Sequence, residues 1–199
     1  VSTWGEMQKK QVHYKEYHFS DVHEMAIQTC GLAEDQCVSA LMDKIFEEWV
    51  GKDHVQTLYE ILAYCLLRDY PIHRIFCLLG GGLNGKSSFL NLISTFIGKE
   101  NTTSCELDTL IKSRFELSKL YKKLVCYIGE TNFNEISKTS MLKRLTGQDL
   151  IPFEFKHKTP FEEYNYAKII VATNNLPPTT DKSLGYYRRW VIIDFPHQF

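Results

Sequence analysis

Eight consecutive residues constrain this chain more than anything else in it: Gly80-Gly81-Gly82-Leu83-Asn84-Gly85-Lys86-Ser87. They fit G-x-x-x-x-G-K-[ST] at every fixed position. The apolar run Ile75 to Leu79 precedes them. A stretch of helical period follows over 87–97, with Phe89, Leu90, Leu92, Ile93 and Phe96 apolar and Gly98 behind it. Buried strand, glycine-rich turn and amphipathic helix, in that order, predict a phosphate-binding loop. Glycines let backbone N–H groups turn inward around phosphate oxygens, and the helix N-terminus adds the positive end of its dipole. Lys86 would reach the β- and γ-phosphates, and Ser87 would place its hydroxyl on Mg²⁺. The nucleotide-binding residues expected are Gly80, Gly81, Gly82, Leu83, Asn84, Gly85, Lys86, Ser87 and Ser88, with a nucleoside polyphosphate and Mg²⁺ as ligands.

Three more apolar runs, over 124–128, 169–172 and 190–195, read as buried strands. Long or helical connections separate them, which predicts an α/β domain with a mainly parallel sheet. Open α/β sheets bind ligands beyond the carboxyl ends of their strands. Glu130 directly follows the second strand region and would polarise an attacking water or hold Mg²⁺ through water. Asn174 ends the third, where its amide would meet the γ-phosphate or the lytic water; the plain alternative is a turn built by Asn174-Asn175. Arg188-Arg189 precedes the fourth. A guanidinium there can stabilise a transferring phosphoryl group, often from a neighbouring subunit, whereas two ordinary surface arginines are the plain alternative.

Between Gly147 and Tyr166, aromatic and charged residues alternate through Ile151-Pro152-Phe153-Glu154-Phe155-Lys156-His157-Lys158-Thr159-Pro160-Phe161. This predicts a β-hairpin with Lys156, His157 and Lys158 near its tip. Those side chains suit a phosphate backbone, although lysines also serve to blunt an exposed sheet edge.

The first third of the chain is different. Residues 1–19 lack a clear period and are expected to be a linker. A helix is expected from a Ser20 cap to Gly31, a second over 38–49 closed by Gly51, and a third capped by Asp53 and ended before Pro71. The division expected is a linker over 1–19, a small helical domain over 20–70 and a P-loop domain over 71–199. Charge divides at the same place: residues 1–70 hold 6 Lys/Arg against 12 Asp/Glu, and residues 71–199 hold 17 against 12. A basic second part suits a polyanionic partner, and an ordinary mixed surface is equally compatible with it.

A hydrophobic content of 44% is too high for a disordered chain. No apolar stretch approaches the roughly 20 residues of a bilayer span. No basic, apolar and small-residue succession opens the chain, which begins at Val1, so we read an excised piece of a longer protein without a signal peptide. None of the six cysteines forms C-x-x-C, and Cys65, Cys77 and Cys126 sit in apolar runs as small core residues of a reducing compartment. The histidines show no metal-binding spacing.

The motifs together, in this order, resemble superfamily 3 helicases, and most of all the helicase part of viral, phage and plasmid primase-helicases of the poxvirus type. The matching segments are the Asn-Gly-Lys-Ser loop, 124–131, 142–149, Lys158-Thr159-Pro160-Phe161, 172–177 and Tyr187-Arg188-Arg189-Trp190. The resemblance implies an AAA+-like P-loop NTPase core preceded by a small all-helical region. It implies a ring, often a hexamer, that hydrolyses ATP between subunits and unwinds DNA through its pore. It makes Lys86 and Ser87 the phosphate and Mg²⁺ residues, Glu130 the Walker B carboxylate, Asn174 the sensor, Arg188 or Arg189 the finger, and Lys156, His157 and Lys158 the DNA-contacting residues. It also implies a primase-type domain upstream, a C-terminal portion beyond Phe199, and a place in the cytoplasm of a host cell for a virus- or plasmid-encoded protein. Gly129 stands where many such motors carry an Asp before the Walker B Glu. Two other readings stay open: a ring-forming assembly or packaging NTPase without unwinding, and a non-motor P-loop kinase.

Overall fold

The computed structural model describes residues 40–129, 136 and 139–199. The linker expected over 1–19, the helix expected from Ser20 to Gly31, and Glu130 lie outside the described residues.

Helix α1 (Ala40–Val50) is the expected second helix. Its apolar residues recur at helical spacing, so one stripe carrying Phe46 and Val50 turns inward. Gly51 ends it at φ 78°, its N–H donating to the Glu47 carbonyl at 2.9 Å. A left-handed residue after the last turn costs glycine little, and here it satisfies a terminal carbonyl. Helix α2 (Val55–Cys65) follows a 3₁₀ turn over Lys52–His54. Asp53 therefore does not cap α2: it lies inside that turn, and His54 takes the N-cap position without a side-chain bond.

The central sheet has five strands: β1 (Ile75–Leu79), β2 (Thr102–Ser104), β3 (Val125–Ile128), β6 (Lys168–Thr173) and β7 (Trp190–Asp194). Their order is β2-β3-β6-β1-β7, and every pairing is parallel. Four of the five are the runs that read as strands. The edge strand β2 is polar and only partly covered, so it carries no apolar signal.

Both faces of the sheet are covered, as continuous apolar strands require. On one face, Phe76, Leu78, Ile170 and Ile193 pack with α1, α2 and α3 (Lys86–Ile97), through Phe46, Leu58, Ile61, Phe89 and Ile93. On the other, Cys77, Cys126, Ile169 and Val171 pack with α4 (Leu107–Lys112), α5 (Arg114–Leu117), α6 (Thr139–Leu145) and α7 (Leu184–Tyr187). Cys65 is buried on the first face. The period of two along each strand thus divides its residues between two helical layers.

The expected hairpin is present. Strands β4 (Leu150–Phe153) and β5 (Phe161–Tyr164) pair antiparallel, with Phe153 opposite Phe161. Ile151 and Phe153 anchor it in the second core, which leaves 154–160 as its tip. Among the described residues no helix is long and apolar enough to cross a membrane.

Candidate nucleotide site

The loop 80–85 leaves β1 and enters α3 between two neighbouring strands, β6 and β7, whose carboxyl ends lie level with it. Leu79 stands opposite Thr173 on one side and Asp194 on the other. Gly82 and Gly85 have φ of 101° and 91°, and Leu83, at 49°, is turned out to solvent. Left-handed backbone of this kind points successive N–H groups into one concavity. At Gly80 the requirement is different: a Cβ would stand 2.0 Å from Asn84 Nδ2 and 2.6 Å from the Phe195 carbonyl oxygen. At Gly85 a Cβ would strike the Trp49 ring at 2.6 Å, so α1 braces the loop from behind.

Lys86 is only 5% exposed, and its ammonium is held by oxygens. It donates to the Gly80 carbonyl at 2.5 Å, to Asn84 Oδ1 at 3.0 Å and to Asn174 Oδ1 at 3.3 Å. These three oxygens fix where the ammonium sits, at the mouth of the loop. Asn84 is buried and two-sided, its Nδ2 donating to the Phe195 carbonyl at 3.1 Å. Ser87 and Ser88 are exposed at the start of α3, where the hydroxyl of Ser87 is accessible to an ion. The loop, its lysine and a helix N-terminus without a side-chain cap among the described residues therefore form a site fit for a polyphosphate with its Mg²⁺.

Asn174 and Asn175 divide the two readings of that dipeptide. The turn is made by Thr173 and Asn175: the Asn175 N–H donates to Thr173 Oγ1 at 3.2 Å, and that hydroxyl donates to the Asn175 carbonyl at 2.7 Å. Asn174 instead reaches across 88 residues of sequence to Lys86. Glu130, two residues beyond Ile128 at the end of β3, lies outside the described residues.

The two arginines have different surroundings. Arg189 is 8% exposed, and its guanidinium is bonded within the chain. It donates to Thr146 Oγ1 at 3.0 Å, to the Lys143 carbonyl at 3.3 Å and to the Gly185 carbonyl. Burial, with the charges of Arg188 and Arg74 adding to it, pulls its pKa down against a smaller opposing pull from Asp149. Arg188 is exposed. It precedes β7, and the Arg189 carbonyl accepts from the N–H of Ile75, the first residue of β1. Arg188 thus lies at the amino ends of the strands, whereas the glycine-rich loop lies at their carboxyl ends. The separation is at least the five residues of β1, roughly 16 Å at strand rise. A guanidinium so placed cannot serve its own loop.

Around Arg189 a polar group joins α6, α7 and the segment between β6 and α7. Lys143 pairs with Asp181 at 2.7 Å, and Thr139 donates to the same carboxylate. Partial desolvation would raise the Asp181 pKa, but hydrogen bonds from Lys143, Ser183 and Thr139 outweigh it and hold the carboxyl well below its usual range. Sequence reasoning did not single out Trp49, Thr146, Lys143, Asp181 or Phe195. The aromatic pair carried only the signal of core periodicity.

Lys156, His157 and Lys158 are exposed on the hairpin tip, with His157 at φ 62° and the Lys158 N–H donating back to the Phe155 carbonyl at 3.1 Å. Glu154, the acidic residue within this basic tip, is paired to Arg114 at 3.2 Å.

Three comparisons bear on kinship. A protein of Acanthamoeba polyphaga mimivirus named "Putative helicase L207/L206" is 24% identical over 169 residues, which cover 81% of this chain and 17% of that protein. The apo C-terminal region of NrS-1 superposes with a TM-score of 0.61 at 19% identity, covering 80% of this chain and 38% of that one. JCV helicase, in a complex with a small molecule, superposes at 0.50 with 14% identity, covering 95% and 56%. This chain thus spans much less than the full length of these proteins. The model of a family of unknown function, DUF5906, matches residues 78–189, from the last residues of β1 to Arg189. The chain belongs to that family, and its fold is like that of the NrS-1 C-terminal region and of JCV helicase.

Proposed function

We propose that this chain is the motor domain of a viral or plasmid DNA helicase, an ATPase whose sites are completed between subunits of a ring. One observation carries the reading: the glycine-rich loop with Lys86 and Asn174 lies at the carboxyl ends of the strands, and exposed Arg188 lies at the amino ends. An arginine on the far side of its own sheet is placed to act in a neighbour's site, as the finger of a ring ATPase acts. Arg188 is therefore the finger, and Arg189 is a structural residue.

In this reading the loop and the N-terminus of α3 bind the phosphates of ATP. Lys86 neutralises charge at the β- and γ-oxygens. Ser87 would hold Mg²⁺, which supplies electrostatic stabilisation of the transferring phosphoryl group. Glu130 polarises the lytic water, and Asn174 links that position to Lys86. The hairpin tip, with Lys156, His157 and Lys158, contacts the DNA backbone in the pore of the ring, a hexamer by resemblance. The full-length protein would add a primase-type domain upstream and work in the cytoplasm of the host cell.

The test is ATP hydrolysis over a protein concentration series, with and without single-stranded DNA. Turnover per chain that rises with both, and vanishes in Lys86→Ala, is the expected result. Turnover independent of concentration and of DNA would refute the proposal.

A further inference from the structure

We infer that Lys122 and Tyr121 form a second nucleic-acid contact, joined to the hairpin tip in one surface for a single strand. This rests on the motor reading above, and adds residues outside the hairpin to it. Lys122 is exposed in the loop before β3, far in sequence from the tip. Its φ is 59°, which is uncommon for a side chain other than glycine and mildly strained. His157 at the tip has nearly the same φ, 62°.

The two loops meet through rings. Tyr121 lies 5.9 Å from Phe155 and 5.0 Å from Phe161 between centroids, and Phe155 and Phe161 stack at 6.2 Å with planes 12° apart. Each loop lays a lysine on this cluster: Lys122 Nζ is 5.2 Å from the centroid of Tyr121, and Lys158 Nζ is 5.6 Å from that of Phe155. Neither lysine has a carboxylate within ion-pair distance among the described residues, whereas nearby Lys119 and Arg114 are paired to Glu116 and Glu154. Glu162 and Glu163 lie further along β5, beyond Phe161. The surface therefore offers two ammonium groups, uncompensated among the described residues, flanking partly buried aromatic rings. That is the chemistry that binds a single strand, phosphates on the cations and bases against the rings.

The strained backbone provides a clean variant. Lys122→Gly removes the charge and relieves the left-handed conformation, so the fold keeps its melting temperature. The measurement is fluorescence anisotropy of a labelled 20-nucleotide oligo-dT against a KCl series. It is made for the wild-type chain, Lys122→Gly, Lys122→Arg and the double variant Lys156→Ala/Lys158→Ala. Lys122→Gly should weaken binding about threefold or more, and reduce the slope of log affinity against log salt by about 0.7, the share of one phosphate contact on a single strand. Lys122→Arg should restore both. If the hairpin variant weakens binding and Lys122→Gly does not, the inference fails and the motor reading stands. If the wild-type chain itself does not bind, both fall.

Discussion

Arg188 and Arg189 are adjacent and chemically identical, so replacing each with alanine separates the two roles assigned to them. Arg189→Ala removes three donated bonds, to Thr146 Oγ1, the Lys143 carbonyl and the Gly185 carbonyl. The Thr146 hydroxyl still donates to the Leu142 carbonyl at 2.9 Å, so it is not wholly orphaned. The two carbonyls lose their charged partner inside a half-closed shell, and a cavity replaces the guanidinium. Losing charge-assisted bonds of this kind costs about 3 kcal/mol. In a chain of this size that is a fall in melting temperature of roughly 6–12 °C. Arg188→Ala removes an exposed side chain and should move the melting temperature by less than about 2 °C. Differential scanning calorimetry of both variants, with ATP turnover measured on the same samples, is the assay. Arg188→Ala should be stable and inactive, and Arg189→Ala destabilised. Equal stability of the two variants would refute the division of labour.

That division also marks the limit of what the sequence makes legible. The glycine-rich loop between β1 and α3 was readable because glycine, lysine and serine at fixed spacing sit between an apolar strand and a helix of clear period. The strands β1, β3, β6 and β7 were readable because burial on both faces demands unbroken apolar runs. The hairpin was readable from its alternation. The edge strand β2 was not, since Thr102–Ser104 has neither period nor apolar face. The cap assigned to Asp53 failed because a reversal at Gly51 leaves room for a 3₁₀ turn before α2 begins. Nothing local distinguishes Arg188 from Arg189, or Asn174 from Asn175. Their environments are set by Thr146 and Lys86, 43 and 88 residues away, through parallel crossovers that a one-dimensional pattern does not contain.

Two further outcomes follow from the geometry and a third from the proposed function. Gly80→Ala forces a Cβ against Asn84 and the Phe195 carbonyl, so nucleotide affinity should fall at least tenfold, about 1.4 kcal/mol, by fluorescent-nucleotide titration; wild-type affinity would count against the loop geometry. Lys168 is fully buried, its ammonium donating to the carbonyls of Leu67, Asp69 and Tyr166, and burial pulls its pKa down to about 8 against weaker opposing effects of Cys65 and Asp69. Because the unfolded chain holds this proton more tightly, the stability of the wild type relative to Lys168→Met should rise as pH climbs from about 8 towards 10.5, by about 3 kcal/mol in all; urea melts with a constant gap between the two proteins would contradict it. Glu130→Gln should bind ATP as the wild type does and hydrolyse it at least a hundredfold more slowly; a variant that no longer binds would make the residue structural.

The central claim is that each active site takes Lys86 from one subunit and Arg188 from the next. Subunit mixing tests it most directly. Lys86→Ala and Arg188→Ala should each be inactive alone, since every interface in either homogeneous ring lacks one of the two groups. In an equimolar mixture, random assembly restores both groups at about a quarter of interfaces, so DNA-stimulated ATP turnover should reappear at that order of the wild-type rate. A mixture as inactive as its two components, in rings shown to exchange subunits, would contradict the account.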